Sequence, residues 1–241
     1  MRILVTNDDS VSASQLVPLV KWCQKLGDVT VIVPKYEQSG KSQGIEIHQP
    51  YEVKRVELLP GVTAYTVDST PADCIRFALY GLKLHFDLVI SGINRGYNLG
   101  TDIMYSGTAG AAFEAVSHGM KAVSLSTSRE YYDNAVQHLD EIFDFILGNK
   151  LLDWNDVYNV NIPEQPKGIK ITRMGGHYFA DEFKPMGNDT YLACGKCVYT
   201  DRGDDTLDMD AVMHGYISIM PMTINRTNMD VFHRFTTMLQ N

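Results

Sequence analysis

Short apolar runs separated by helical segments are the feature that most constrains the fold of this chain. Such runs occupy residues 3–6, 29–33, 87–91 and 122–125, and each is apolar along most of its length. Strands of this kind are buried on both faces, which requires helices on both sides of a parallel sheet. The pattern therefore predicts an α/β fold with a Rossmann-like, three-layer and mostly parallel sheet.

Helices are predicted between and after these runs. Thr70 with Asp73 three positions later is typical of a capped helix start, and Gly119 and Gly148 are typical of helix ends. The predicted helices end near residue 25 or span residues 71–80, 107–118 and 133–147.

Beyond residue 157 the pattern changes to short alternating runs at residues 158–162, 169–172 and 215–220, separated by Gly, Asp and Asn. This pattern predicts a β-rich second half with hairpins. We expect a solvated loop at five acidic positions, and two thiols in a turn at Cys194 and Cys197. The acidic positions are Asp201, Asp204, Asp205, Asp208 and Asp210.

Charge and motifs exclude several classes of function. The net charge of −8, with no basic run, argues against binding to a nucleic-acid polymer. No stretch approaches the roughly 18 apolar residues of a membrane span, and no signal peptide precedes the first strand, so we expect a cytoplasmic protein. The phosphate loop of NTPases, the dinucleotide-binding glycine motif and the nucleophile elbow of hydrolases are all missing from the sequence.

Two adjacent acids, Asp8 and Asp9, close the first apolar run. Carboxylates at the end of a buried strand repel each other and lose solvation, so a cation is expected to offset them, and a divalent metal is a strong candidate. The alternative is a helix cap, because Asn, Asp and Ser are good N-cap residues and an apolar segment follows at residues 15–20.

Polar loops follow three of the predicted strands. Ligands of open parallel sheets bind at the carboxyl ends of the strands, where these loops meet. Beside the acid pair, the second loop offers Ser39 and Gly40, and the third offers Asn94. Two carboxylates, a hydroxyl and an amide carbonyl form an oxygen-only set that suits magnesium, manganese or calcium and suits zinc poorly.

The third loop runs into a helix start rich in small residues, with Ser106, Gly107 and Thr108 in its first turn. Exposed amides and the helix dipole favour phosphate at such a position. The alternative is that Ser106 or Thr108 only caps the helix, and that Gly107 and Gly110 allow close packing on the sheet.

Together these segments resemble the SurE family, the survival protein E group of metal-dependent nucleotide phosphatases. The match is spread over most of the chain and keeps the family order. The motifs are VTNDD at 5–9, EQSG at 37–40, STPADC at 69–74, SGINRGYNLGTD at 91–102, YSGTAGAA at 105–112 and NVNIP at 159–163, with a later block at 208–221.

The resemblance implies a site and an activity. One divalent cation per subunit, Mg²⁺ or Mn²⁺, would be held by Asp8, Asp9, Ser39 and Asn94. The substrate phosphate would be held by Gly40, Ser106, Gly107 and Thr108. Asp8 or Asp9 would also act catalytically, by orienting or deprotonating the attacking water. The implied activity is that of a 5'-nucleotidase, which hydrolyses nucleoside monophosphates to nucleoside and phosphate.

The resemblance also implies a SurE-like organisation of the whole chain. A single domain at 1–241 would comprise an α/β core with the active site at 1–126. A helix and β-hairpin extension at 127–241 would serve oligomerisation. A homodimer or homotetramer is therefore expected.

Two departures from the family pattern lie near the implied site. The family usually has Gly where this chain has Ser10, followed by an altered loop to Gln15, and tends to have His where this chain has Gln43. If the loop still needs a left-handed residue, Ser10 costs about 1 kcal/mol or more in strain; otherwise the loop is redrawn.

The departures leave two alternatives to the nucleotidase open. One is a nucleotide- or phosphate-binding protein with little turnover, because of the altered loop. The other is a phosphatase that prefers polyphosphate or a sugar phosphate.

Overall fold

A computed structural model describes residues 1–239 and contains eleven strands within that range. In chain order they are β1 (Arg2–Thr6), β2 (Asp28–Pro34), β3 (Val53–Val56), β4 (Thr63–Val67), β5 (Leu88–Arg95), β6 (Lys121–Thr127), β7 (Val157–Ile162), β8 (Ile169–Ile171), β9 (Phe179–Gly187), β10 (Thr190–Cys197) and β11 (Ile217–Met222).

Nine of these strands form one sheet in the order β3-β4-β2-β1-β5-β6-β7-β11-β8. The centre of the sheet, from β4 to β7, is parallel, and only the β3–β4 and β7–β11 pairs are antiparallel. The prediction of a mostly parallel α/β sheet is therefore confirmed. Strands β9 and β10 form a separate antiparallel hairpin.

Seven α-helices lie in the described part of the chain. They are α1 (Leu16–Cys23), α2 (Pro71–Arg76), α3 (Gly107–Ser117), α4 (Leu139–Gly148), α5 (Leu151–Trp154), α6 (Asp208–Met213) and α7 (Met229–Met238). As predicted, the Thr70 side chain caps α2 by accepting a hydrogen bond from the Asp73 amide at 3.1 Å. None of the helices within residues 1–239 is long and apolar enough to cross a membrane.

The central strands are buried on both faces, as their apolar runs predict. In β1, Ile3 and Val5 join one core cluster with α1 and α4, while Leu4 joins another with α2 and α3. Burying an aliphatic side chain of this size contributes about 1.5–3 kcal/mol, so both faces hold the helices firmly. This packing fixes the carboxyl ends of β1, β2 and β5 along one edge.

The structure corrects two details of the helix predictions. Residues Tyr132–His138 form 3₁₀ turns, which are common at helix starts, and the α-helical part begins only at Leu139. Gly148 is the last residue of α4 rather than its stop, because the left-handed conformation falls on Lys150, with a φ of 54°.

The prediction of a solvated acidic loop is wrong for Asp208 and Asp210, which lie in α6 with no exposed surface. Asp208 accepts hydrogen bonds from the amides of Gly100 and Gly175 at 2.7 and 2.8 Å. Asp210 Oδ2 accepts hydrogen bonds from the amides of Arg202 and Asp204, each at 3.0 Å. A carboxylate can be buried when amides replace its water.

The two thiols of the CxxC sequence, Cys194 and Cys197, lie in strand β10 rather than in a turn, and both are free.

Candidate active site

The acid pair lies where β1 ends, and the two side chains have different surroundings. Asp8 is only 4% exposed, and its Oδ1 accepts a hydrogen bond of 2.6 Å from the Thr108 hydroxyl on α3. Asp9 is half-buried, and its Oδ2 accepts a hydrogen bond of 3.0 Å from the Arg95 amide at the end of β5. The acid pair thus joins β1 to both neighbouring elements of the site.

Burial disfavours the ionised form of both carboxyl groups. Burial raises the pKa of Asp8 to about 6; the Thr108 hydrogen bond opposes this rise and the Asp9 charge adds to it. Burial also raises the pKa of Asp9, against the Arg95 amide and the charges of Arg95 and Arg129. Within residues 1–239, no lysine or arginine side chain forms an ion pair with either acid. The pair therefore favours a bound cation.

The loop after β2 is tied to the acid pair by its backbone. The Gln38 amide donates a hydrogen bond of 2.8 Å to the Asp8 carbonyl oxygen, which brings Ser39 and Gly40 to the same edge. The Ser39 hydroxyl donates to Glu37 Oε1 at 2.7 Å, so its oxygen lone pairs remain available. Gly40 has a φ of +71°, a left-handed conformation that favours glycine.

Asn94 lies at the end of β5, one residue before the amide that binds Asp9. Its Nδ2 donates a hydrogen bond of 2.8 Å to the Gly96 carbonyl oxygen. This bond fixes the side-chain amide. The side-chain carbonyl oxygen, Oδ1, forms no hydrogen bond within residues 1–239, so its lone pairs can coordinate a cation.

The start of α3 packs directly on the acid pair. A Cβ atom at Gly107 would lie 3.1 Å from Asp8 Oδ2 and 3.2 Å from the Gln38 carbonyl oxygen, so glycine permits the close approach. The amides of Gly107 and Thr108 lie in the first turn, where a helix offers no backbone acceptor. The helix N-terminus therefore faces the acid pair.

The structure confirms the capping and close packing that the sequence offers as one interpretation of this helix start. Ser106 does cap α3, because its Oγ accepts a hydrogen bond of 3.1 Å from the Ala109 amide. Thr108 instead donates its hydroxyl to Asp8. Gly110 allows close packing, because a Cβ atom there would lie 2.1 Å from the Ser42 carbonyl oxygen.

The donor set fits a hard divalent cation. Two carboxylates, the Ser39 hydroxyl oxygen and the Asn94 carbonyl oxygen converge at one sheet edge, and oxygen ligands suit Mg²⁺ or Mn²⁺. Nearby, Asn7 Oδ1 is buried without a hydrogen-bond partner. The described chain has no group of three His, Cys, Asp or Glu side chains arranged for a metal, so a cation here would depend on neutral oxygens as well as the acid pair.

The loop after the acid pair keeps the conformation for which glycine is suited. Ser10 is buried and has a φ of +77°. Its carbonyl oxygen accepts a hydrogen bond of 2.9 Å from Asn7 Nδ2, and its hydroxyl lies 2.9 Å from the Ser12 hydroxyl. The loop is therefore not redrawn at this position, and serine occupies a strained conformation.

Two features of the site have little or no signal in the sequence. The Arg95 amide, which binds Asp9, lies within the motif at residues 91–102, but nothing in the motif marks a backbone group as functional. The Arg129 side chain, whose charge acts on Asp9, follows β6 without any recognisable pattern.

A clamp holds the loop between β5 and α3. The Asp102 carboxylate accepts hydrogen bonds from the amides of Tyr178 and Phe179 at 3.1 and 2.7 Å. The Thr101 amide donates to the Gly176 carbonyl oxygen at 3.0 Å. The base of the β9–β10 hairpin is thereby joined to the loop that leads into the start of α3.

Comparison with known proteins places this geometry in a family context. Residues 3–181 match the family model described as Survival protein SurE. Proteins named 5'-nucleotidase SurE are similar over nearly the full length. That of Petrotoga mobilis is 33% identical, with both chains fully covered, and that of Legionella pneumophila Philadelphia 1 is 34% identical, with 99% of this chain and 97% of that protein covered.

The fold has a counterpart among solved structures. A crystal structure of the SurE protein from Aquifex aeolicus superimposes with a TM-score of 0.80 at 28% identity, and all of both chains is covered.

Proposed function

The chain belongs to the Survival protein SurE family, and from this premise we propose that it is a metal-dependent 5'-nucleotidase that hydrolyses nucleoside monophosphates to nucleoside and phosphate. The observation that carries the proposal is the acid pair of Asp8 and Asp9, which faces the N-terminus of α3 and, within residues 1–239, forms no ion pair with a lysine or arginine side chain. A site of this kind binds a divalent cation on one side and a phosphate on the other.

The cation is assigned to oxygen ligands, and the phosphate to backbone amides and the Ser106 hydroxyl, because the Thr108 hydroxyl already donates its hydrogen to Asp8. The proposed metal ligands are Asp8, Asp9, Ser39 and Asn94. The proposed phosphate ligands are Gly40, Ser106, Gly107 and Thr108. When bound, Mg²⁺ or Mn²⁺ would neutralise the acid pair and polarise the phosphoryl oxygens as a Lewis acid.

The chain's own groups supply orientation and charge stabilisation. The first-turn amides of α3 bind the phosphoryl oxygens and stabilise the negative charge that grows on them during the reaction. Thr108 is held in one orientation by its hydrogen bond to Asp8. One of the two carboxylates, Asp8 or Asp9, orients the attacking water and accepts its proton as the water oxygen bonds to phosphorus. The phosphorus–oxygen bond to the nucleoside breaks, and the leaving oxygen takes a proton from solvent.

Neither alternative gains support from the site. A binding protein with little turnover was suggested by the altered loop at residues 10–15, yet Ser10 keeps the left-handed conformation. The altered residues also remove none of the proposed ligands. Among the residues that the structure describes, no feature favours a polyphosphate or a sugar phosphate over a nucleotide.

The test is phosphate release from nucleoside 5'-monophosphates by EDTA-stripped protein, with and without added Mg²⁺ or Mn²⁺. We expect turnover only with metal, and a loss of at least about 10²-fold in Asp9→Ala, because that change removes both a metal ligand and a candidate base. Asp28→Ala, which removes an exposed acid at the opposite edge of the sheet, is the matched control. Metal-independent turnover, or full activity in Asp9→Ala, contradicts the proposal.

We further propose that residues 127–241 assemble the protein into a homodimer or homotetramer. Helix α7 has no buried residue, and it exposes Phe232 and Phe235. The β9–β10 hairpin likewise exposes Phe183 and Tyr191. Apolar surface of this kind supports an interface with another copy of the chain.

A further inference from the structure

The loop after β2 is tied to the protein on both sides of residues 39–41, which include two of the proposed ligands. Before them, the Gln38 amide donates a hydrogen bond of 2.8 Å to the Asp8 carbonyl oxygen. After them, the Ser42 amide donates one of 3.0 Å to the Tyr105 carbonyl oxygen, just before α3. Residues 39–41 are themselves exposed. Their position therefore depends on the two ties and not on packing in the core.

Residues 42–44 contact two helices. The Ser42 hydroxyl donates a hydrogen bond of 2.6 Å to the Met104 carbonyl oxygen. A Cβ atom at Gly110 would lie 2.1 Å from the Ser42 carbonyl oxygen, so this segment lies directly on α3. On its other side, the Gly44 carbonyl oxygen accepts a hydrogen bond of 2.7 Å from the Thr70 hydroxyl at the start of α2. The segment is therefore held between α2 and α3.

Gln43 joins this segment to a buried carboxylate. Its Nε2 donates a hydrogen bond of 2.8 Å to Oε2 of Glu114, a residue of α3 that is only 6% exposed. The other carboxylate oxygen, Oε1, lies 3.0 Å from Arg76 Nη1 on α2 and 3.0 Å from His118 Nε2. Burial alone would raise the pKa of Glu114, but these three hydrogen bonds outweigh burial and lower the pKa. Glu114 is therefore an ionised acceptor at neutral pH.

The carboxylate of Glu114 is suited to holding Gln43 in one place. A hydrogen bond to an ionised group is roughly twice as strong as one between neutral groups. Arg76 also holds the carboxylate from α2, so the acceptor does not depend on Gln43 for its own orientation. Without the Gln43 donor, the segment on α3 loses a side-chain tie, and residues 39–41 gain conformational freedom at the end next to that helix.

We infer that Glu114 is a positioning residue for the reaction: through Gln43 it fixes residues 42–44 on α3, and so it sets where Ser39 and Gly40 lie relative to the first turn of that helix. Glu114 lies about two turns into α3, and its side-chain hydrogen bonds go to none of the proposed ligands. The inference rests on the proposed function for what the loop binds. A loop held in its binding conformation spends less of the binding free energy on becoming ordered.

Gln43→Leu tests the inference, because leucine is similar in size but cannot donate, and because the Glu114–Arg76 pair remains. In the metal-free protein, we expect the amides of residues 39–44 to exchange with deuterium about tenfold faster. Calorimetry should show a Kd for Mn²⁺ about tenfold higher, the factor expected from one hydrogen bond to a charged group. KM for nucleoside monophosphates should rise by a similar factor, with a smaller change in kcat.

Two conservative variants should restore the wild-type behaviour. In Gln43→His a ring N–H can donate to the carboxylate, and in Glu114→Gln an amide oxygen remains to accept from Gln43. Both should keep Mn²⁺ affinity within about threefold of wild type. Gln137→Leu is the matched control, because it removes an exposed glutamine whose Nε2 donates to Asn134 Oδ1 at 3.1 Å, outside the loop.

The outcomes separate this inference from the proposed function. Unchanged exchange at residues 39–44 in Gln43→Leu overturns the inference and leaves the nucleotidase standing, as does faster exchange with wild-type Mn²⁺ affinity and KM. An equal loss in Gln43→His also overturns it, because the hydrogen bond would then not be the cause. If the wild-type protein hydrolyses no nucleotide, the proposed function fails and the Mn²⁺ affinities of the variants decide the inference. A wild-type protein that binds no Mn²⁺ overturns both.

Discussion

At the scale of single residues, Ser10 shows how a site tolerates an unfavourable side chain. A left-handed φ costs a residue with a Cβ atom about 1–2 kcal/mol. The Ser10 hydroxyl contacts Ser12, and its carbonyl oxygen accepts from Asn7, so the surrounding hydrogen bonds hold the conformation in place. The backbone conformation at position 10 is thus held by hydrogen bonds with Asn7 and Ser12, and not by a residue type that prefers a left-handed φ.

We predict that Ser10→Gly stabilises the protein by about 0.5–1 kcal/mol. Relief of the left-handed strain outweighs the lost contact with Ser12 and the greater freedom of glycine in the unfolded chain. Urea denaturation of the metal-free protein measures the effect. Ser12→Gly, at a neighbouring exposed position without a positive φ, should instead be slightly destabilising. A less stable Ser10→Gly protein would show that the hydroxyl contact outweighs the strain.

The raised pKa of Asp8 predicts how the metal-free protein responds to pH. A carboxyl whose pKa is 3.8 when unfolded and about 6 when folded holds its proton more tightly in the folded state. Its contribution to stability is present below the lower value and is lost as pH rises through about 6. Wild type should therefore lose about 3 kcal/mol more than Asp8→Asn between about pH 4 and pH 7.

Denaturation curves of EDTA-treated wild type and Asp8→Asn across this pH range measure the difference directly. The asparagine variant keeps a side-chain oxygen for the Thr108 hydroxyl but cannot ionise, so titrating groups remote from the acid pair cancel in the comparison. Parallel pH profiles for the two proteins would contradict the assignment.

At the scale of elements, the hairpin base and the loop before α3 behave as one unit. Asp102 accepts two amides of the hairpin base, and Asp208 accepts the Gly100 amide. The conformation of the loop therefore depends on partners distant in sequence, Asp208 and the hairpin base, and these partners also position the start of α3.

Removing this clamp should weaken phosphate binding more than it slows chemistry. We predict that Asp102→Ala raises KM about tenfold with a smaller change in kcat, because two amides lose a charged acceptor and the helix start shifts. Asp102→Asn, which keeps an acceptor oxygen, should recover most of the loss. Asp181→Ala, an exposed acid on the hairpin outside the clamp, is the control. Equal KM values in Asp102→Ala and wild type would show that the clamp does not position the site.

The sequence predicts the parallel core and the edge that carries the site for a physical reason. Runs that are apolar on both faces admit few arrangements, and parallel strands bring their carboxyl-end loops together. The acid pair, the Ser39 loop and the start of α3 therefore meet as expected, and Thr108 takes part through its side chain. Their roles as ligands remain proposals.

The second half of the chain is harder to predict, because in the sequence its buried Asn and Asp residues cannot be distinguished from residues on the surface. Strand β7 alternates Asn with apolar residues, yet all of its residues are buried. Asn159 and Asn161 each donate to the Asn98 carbonyl oxygen at 2.9 Å, which satisfies them inside the sheet. A distant loop supplies the partner, as it does for Asp208, and no local pattern reveals such a partner.

At the scale of the whole molecule, two segments, helix α7 and the β9–β10 hairpin, do not pack against the nine-stranded sheet with their apolar side chains. Helix α7 and the β9–β10 hairpin expose aromatic and aliphatic side chains, whereas the central strands β1, β5 and β6 are covered on both faces by helices. An amphipathic helix with no buried residue gains little from folding alone, so a second chain is its natural partner.

We predict that the wild-type protein sediments as a multiple of its 27.0 kDa chain mass, and that Phe232→Asp with Phe235→Asp reduces it to a smaller species. A buried interface does not tolerate two unpaired charges. Phe183→Asp tests the hairpin separately and should convert a tetramer to a dimer if each segment forms its own interface. Trp154→Asp, at a side chain that is 86% exposed elsewhere, should leave the assembly unchanged. A wild-type protein of monomer mass would contradict the prediction.

The close approach of two glycines limits how this architecture can be recombined. A Cβ atom at Gly100 would lie 1.9 Å from the Gly176 carbonyl oxygen. The loop and the hairpin base therefore pack together only when position 100 is glycine and the backbone at position 176 keeps this path. A chimera that imports a relative's hairpin from Ala180 to the end of β10 would keep this chain's junction intact. A cut inside residues 174–179 would break the junction, so the useful crossover points for domain grafting lie outside the clamp.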